Sequence, residues 1–238
     1  MSIASELSRL QQAKSDLATS IAAKGVTVPA ATTIDGYAAL VDQIQQGGGG
    51  GFPFGSEIEY LQGTGTQYIN SGITPNADTG IKIYAECANN TDSFPVGLKN
   101  TAGDTRWTIG HYKNGFYYGY GGWSDISPLI KVSAAEVCLN FKNNKKFSVS
   151  ASGSYGEINL PTLSFTPSYN IRLFGRAGDG ASTWSGKLYY VQISQGDSIV
   201  ADFIPVRIGQ VGYLYDKVRE TLFGNIGTGN FILGADKN

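Results

Sequence analysis

The chain has 238 residues, a formal net charge of −1 and only 16% charged residues. Neutralising nucleic-acid phosphates needs a clustered excess of Lys and Arg, so this balance excludes a nucleic-acid partner. The single histidine and two distant cysteines exclude a zinc cluster, and no apolar run is long enough to insert in a membrane.

The N-terminus, Met1-Ser2-Ile3-Ala4-Ser5-Glu6, lacks the basic start and apolar stretch of a signal peptide, so synthesis in a cytoplasm is expected. Ile3, Leu7, Leu10, Lys14, Leu17 and Ile21 then recur at helical spacing and, Lys14 apart, form a heptad seam. Ala13, Ala18 and Ala22 flank it with strong helix formers. Gly25 ends the helix, Pro29 prevents its resumption, and Val26 and Val28 lie extended between them. Thr33 is an N-cap candidate for a second helix, whose stripe is Ile34, Tyr37, Val41 and Ile44. Each helix is too short to be stable alone in water. The stripes bury either against the rest of this chain or against other copies and a larger particle. Five consecutive glycines at 47–51 favour the second, because such a run is a costly choice for a fixed connection. Residues 1–46 are therefore read as an anchoring or oligomerisation segment and 47–56 as a tether.

The run Ala13-Lys14-Ser15-Asp16-Leu17, then Lys24-Gly25-Val26-Thr27-Val28-Pro29, then Tyr37-Ala38-Ala39-Leu40-Val41-Asp42-Gln43-Ile44, resembles a short helical-hairpin module. That module is common in tail and fibre proteins of phages that infect Gram-positive and gut bacteria. The resemblance covers residues 3–46.

From Glu57 onward, short runs of alternating apolar residues are separated by turn signals: Asn114-Gly115, Gly121-Gly122, Asn143-Asn144, Gly178-Asp179-Gly180 and Gly196-Asp197. The basic cluster at 142–146 reads as one such solvated turn. No helical period appears after residue 52. Many short strands in one domain predict a mainly β, antiparallel two-sheet jelly roll over 57–238, behind the small helical hairpin. Cys87 and Cys138 both sit in apolar alternation and are read as free thiols, with a single bridge as the alternative.

Three stretches carry a second resemblance. They are Glu59-Tyr60-Leu61-Gln62-Gly63-Thr64-Gly65-Thr66-Gln67-Tyr68-Ile69-Asn70, Gly186-Lys187-Leu188-Tyr189-Tyr190-Val191-Gln192-Ile193, and the tail from Asp202 to Phe231. They look like the opening strands, a late strand and the ending of laminin-G-like, concanavalin A-like modules of phage and gut-bacterial surface proteins. The resemblance implies a lectin-like jelly roll and leaves its ligand open.

The stretch 106–123 holds seven aromatics and the only histidine. On paired strands alternate residues share a face, so Phe116, Tyr118 and Tyr120 fall on one side and Tyr117 on the other. Exposed rings beside polar groups make stacking platforms for sugars. The glycan-binding candidates are Trp107, His111, Tyr112, Tyr117, Trp123, Asp125 and Trp184; the alternative for each ring is core packing. No catalytic residue is expected. His111 has no nucleophile partner in sight, and Glu57 with Glu59 lacks the carboxylate pattern of jelly-roll glucanases. Asp104 and Asp179 belong to no densely acidic loop, so no metal or cofactor is expected.

The expected protein is thus a phage virion component, self-associated as a homotrimer and held by other capsid or tail proteins. Its jelly roll would project from the virion surface towards host-surface or environmental glycans. A purely architectural subunit is the alternative, and a polysaccharide-cleaving enzyme a remote third. Trimerisation rests on the seam together with the fibre proteins that the segment resembles.

Overall fold

The computed structural model describes residues 3–22, 26–41, 53–87, 92–100, 105–121, 123–125, 129–140, 146–160, 166–178 and 183–237. Ile44, the glycine run at 47–51, Asp104, residues 142–145 and Asp179 lie outside the described residues. The chain divides into two units, Met1–Phe54 and Gly55–Asn238.

In the first unit, α1 spans Ile3–Ala22 and α2 spans Gly36–Val41. Glu6 sits in the first turn of α1, where the helix dipole favours an acid, and pairs with Arg9 at 2.9 Å. The turn between the helices closes with the Thr32 amide donating to the Pro29 carbonyl at 3.0 Å. Tyr37 and Leu40 of α2 meet Ile21 of α1 and Val26 of the turn in a small apolar cluster. Helix α2 opens at Gly36 rather than beside Thr33, so Ile34 precedes it and stays exposed. Leu40, absent from the expected stripe, takes the buried position.

The second unit is built from strands, in chain order. The first six are β1 (Ser56–Glu57), β2 (Leu61–Thr64), β3 (Ile69–Asn70), β4 (Thr79–Cys87), β5 (Ser93–Lys99) and β6 (Arg106–Tyr112). Next come β7 (Gly115–Gly121), β8 (Trp123–Asp125), β9 (Ala134–Asn140), β10 (Lys146–Ala151), β11 (Ser154–Asn159) and β12 (Arg172–Leu173). The last are β13 (Ser185–Gln195), β14 (Ser198–Ile208), β15 (Val211–Asp216), β16 (Thr221–Phe223) and β17 (Ile232–Leu233). The larger sheet runs β11-β10-β9-β4-β13-β14-β15-β16, with β1 on β14 and β2 between β13 and β17. The smaller runs β3-β12-β5-β6-β7-β8. All of these strand pairs are antiparallel, as in β4 with β13 and β6 with β7. Strands remote in sequence sit side by side, β4 between β9 and β13, which makes this a sandwich of jelly-roll type.

The core lies between the sheets. Ile81, Ile83, Ala85, Val137, Val149, Leu188, Val191 and Phe203 of the larger sheet face Val96, Leu98, Trp107, Ile109, Phe116 and Tyr118 of the smaller. The hairpin between β6 and β7 turns on Lys113 and Asn114, both at positive φ (51° and 62°), as a two-residue turn of the primed type requires. Its centre is one residue earlier than the expected Asn114-Gly115. Ser56 and Glu57 already pair with Arg207 and Val206 of β14, so the β unit begins inside the stretch read as tether.

Cys87 and Cys138 are free. Cys138 pairs across to Lys82, five positions along β4 from Cys87, so the two thiols sit roughly 16 Å apart along the ladder. They also face opposite sides of the sheet. Burial pushes the Cys87 thiol up to about 12, which keeps it protonated and unreactive.

Candidate functional site

The structure places most of the expected aromatic platform inside the fold. Trp107 and Trp184 are 1% and 0% exposed. His111 is buried edge-on against Phe116, with ring centroids 5.0 Å apart. Tyr117 does leave the face shared by Phe116, Tyr118 and Tyr120, but it is only 4% exposed. Its ring lies across Gly110, and its hydroxyl donates to Asp92 at 2.5 Å. These four residues offer no ring to a ligand, which corrects the expectation for them. The physical reason is that β5, β6 and β7 are buried almost without interruption, so the smaller sheet has no alternating solvent face. Tyr112 is half-buried, with Lys113 Nζ 5.2 Å from its ring centroid. Trp123 and Asp125 lie on β8, paired with Tyr120 and Tyr118, and their side chains lie outside the described residues.

A different aromatic surface forms on the outer face of the larger sheet. Strand β13 slips by one residue against β4: Leu188 pairs with Ala85, and Tyr190 pairs with the next residue, Tyr84. Tyr189 is the extra residue of this bulge, so Tyr189 and Tyr190 both turn outward while Leu188 stays in the core. Four tyrosines become contiguous. The Tyr189 ring lies 5.6 Å from Tyr60 and 4.7 Å from Tyr84, and Tyr84 lies 6.4 Å from Tyr190. Beside them opens a groove of about 660 Å³. Its lining joins Tyr60, Tyr189, Tyr190 and Ile204 to the charged groups Glu59, Asp202, Lys187, Lys217 and Lys237.

The polar groups here are cross-linked. Tyr189 Oη donates to Glu86 at 2.8 Å, and Lys187 Nζ reaches both oxygens of the same carboxylate at 3.1 and 3.2 Å. Tyr190 Oη donates to Glu136, which Lys82 approaches at 3.1 Å. Lys217 pairs with Asp202 at 2.8 Å and Lys237 with Glu57 at 2.6 Å. The Tyr189 hydrogen bond, with Lys187 beside it, holds the Glu86 carboxyl below its ordinary range against the opposing effect of burial. Burial, and then the neighbouring carboxylates, push the Tyr189 and Tyr190 phenols well up. At neutral pH the surface therefore presents an ionised Glu86 carboxylate beside neutral Tyr189 and Tyr190 phenols. Such an array accepts and donates hydrogen bonds. Glu86 is poorly suited to general-acid work, which needs a carboxyl pushed the other way.

The helical unit carries the second candidate surface. Of the expected seam, Ile21 is buried, while Ile3, Leu7, Leu10 and Leu17 are 91%, 56%, 49% and 42% exposed. On the second stripe Tyr37 is buried, and Ile34 and Val41 are exposed. Within the helical unit, most of the apolar stripe of α1 is thus left exposed among the described residues.

No family model matches this sequence, and neither does any curated protein. Among solved structures the chain is similar to the native heptameric SAP-like pentraxin from Limulus polyphemus, at 12% identity and a TM-score of 0.41. The match covers 76% of this chain and 90% of that one.

Proposed function

We propose that the chain is a structural component of a phage particle, mounted through residues 1–46, whose jelly roll contacts glycans at the host surface. The phage assignment is supported by the sequence resemblances over 3–46 and over the stretches 59–70, 186–193 and 202–231 of the β unit. Mounting is supported by the exposed apolar stripe Ile3, Leu7, Leu10 and Leu17, a seam of the kind that buries against partner helices. A homotrimer, bound in turn by capsid or tail proteins, covers that stripe. Surface contact is carried by one observation, the groove beside Tyr60, Tyr189 and Tyr190, where rings and polar groups of both signs converge. Several copies on one particle convert weak single-site contacts into useful avidity. The reading contains no catalytic step.

The experiment is adherence of the fluorescently labelled full chain to envelopes from a panel of Gram-positive and gut bacteria. Saturable adherence to at least one, competed by envelope carbohydrate, is expected. Its absence across the panel favours the second reading, an architectural subunit without a ligand. The burial of Trp107, His111, Tyr117 and Trp184 is the observation on that side.

A further inference from the structure

The tyrosine groove supports a narrower statement, which rests on the reading of the β unit as a surface-contacting module and names its ligand class. We propose that the groove binds neutral hexopyranosides, with a sugar ring stacked on Tyr189 and bordered by Tyr60, whose ring stands at 66° to it, and with its hydroxyls shared between the Lys187–Glu86 and Lys217–Asp202 pairs.

Shape and surface come first. A pyranose presents an apolar C–H face and an equatorial belt of hydroxyls. It needs an aromatic face within reach of both donors and acceptors. The groove supplies both, and its volume of about 660 Å³ lies inside the roughly 300–1,000 Å³ usual for small-ligand sites. The ion pairs keep capacity for a ligand, since the Lys187 and Glu86 side chains remain 29% and 36% exposed.

Charge then selects among ligands. Each lysine of the groove already faces a carboxylate: Lys187 faces Glu86, Lys217 faces Asp202, and Lys237 faces Glu57. An acidic sugar has to displace one of these carboxylates before it gains a cation. A quaternary ammonium is disfavoured differently. The attraction of the Tyr60 ring for a cation is already used by Lys187 Nζ, 5.0 Å from its centroid. A neutral polyol needs neither exchange. It hydrogen-bonds to paired charges as they stand.

The test is calorimetric titration of the full chain with linear glucose, mannose and galactose oligosaccharides, with an oligogalacturonate and with choline. At least one neutral series is expected to bind. Tyr189→Ala and Tyr60→Ala each weaken it about tenfold, the scale of one lost aromatic stacking contact. Tyr189→Phe, which keeps the ring, stays within about threefold, and Tyr155→Ala on remote β11 leaves binding unchanged. Should Tyr189→Ala fail to fold, Tyr60→Ala and Lys217→Ala decide by the same criterion. Binding of only the uronate or only choline overturns the proposal, as does full neutral binding by the Tyr variants or no binding at all. Adherence to bacterial envelopes separates the two levels. Adherence without any neutral oligosaccharide binding sinks the ligand class and leaves the surface reading intact. Groove-dependent oligosaccharide binding without adherence does the reverse.

Discussion

Tyr189 and Tyr190 are consecutive in the chain, yet both lie on the outer face of the larger sheet, because β13 bulges between Leu188 and Tyr190. Regular alternation would send one of them into the core. The bulge residue is an insertion in the strict sense: Leu188 and Tyr190 pair with Ala85 and Tyr84, which are adjacent on β4. Deleting Tyr189 therefore preserves the pairing on both sides. The deletion variant should fold, with a melting temperature within about 5 °C of the parent by differential scanning calorimetry. It should also lose the ring bridge between Tyr60 and Tyr84, together with oligosaccharide binding.

Gly110 owes its identity to Tyr117. A Cβ at Gly110 would come within 2.3 Å of the Tyr117 ring. Gly110→Ala must push the ring off the sheet and away from Asp92, which strains a site with little room to yield. A loss of about 1–3 kcal/mol in urea unfolding is expected. In a Tyr117→Ala background the same Gly110→Ala change should cost clearly less than in the parent, since the clash is gone.

Asp216 is fully buried and satisfies three donors: the amides of Asp202 and Val218, at 2.9 and 3.0 Å, and the Arg219 side chain. Asp216→Ala strands all three, at a cost of about 3–5 kcal/mol. Asp216→Asn keeps an acceptor for the amides and should cost roughly half as much. Chemical denaturation of the three proteins measures the order.

Two groups give the β unit an acid sensitivity with separable windows. Burial lowers the His111 pKa below 6.5, with the Val132 backbone opposing. The unfolded chain then binds a proton that the folded chain refuses, so stability falls as pH drops below about 6.5. Glu86 has a lowered folded-state pKa, so its contribution is present above about 4.5 and is lost as pH falls through the folded value. His111→Leu should flatten the stability profile between pH 7 and 5.5 without touching the lower window; Glu86→Gln should do the converse. Stability measured at half-unit pH steps resolves the two.

Helix α1 should be the seat of self-association. Leu7→Asp combined with Leu10→Asp places charge on a stripe that is already exposed in one chain, so the fold of a single copy is untouched. Sedimentation equilibrium should give a trimer for the parent and a monomer for the variant. A monomeric parent contradicts the mount.

Much of the sandwich was legible in the sequence because its inner faces alternate cleanly. Phe116, Tyr118 and Tyr120 on one side with Tyr117 on the other, and the turn at Gly196-Asp197, are where period-two reading puts them. The groove was not legible. Leu188, Tyr190 and Gln192 alternate on paper and would share a face; the bulge sends Leu188 inward and the other two outward. Tyr60, Tyr84 and Tyr189 meet only because β13 has both β2 and β4 as neighbours, a fact of topology with no local signature. Burial of Tyr117 was hidden for a related reason: alternation says which side a ring leaves from, and nothing about what covers that side. The Tyr189-Tyr190 doublet inside an alternating strand was the one available hint of a bulge.

The central claim joins a mounted helix to a reading groove, and one measurement addresses both halves. Adherence of the full chain to bacterial envelopes is compared with that of Leu7→Asp/Leu10→Asp and of Tyr189→Ala at equal protein concentration. The account predicts saturable adherence by the parent, a loss of at least about a hundredfold in apparent affinity when the stripe is charged, and loss of adherence when Tyr189 is removed. Equal adherence by all three proteins would contradict it.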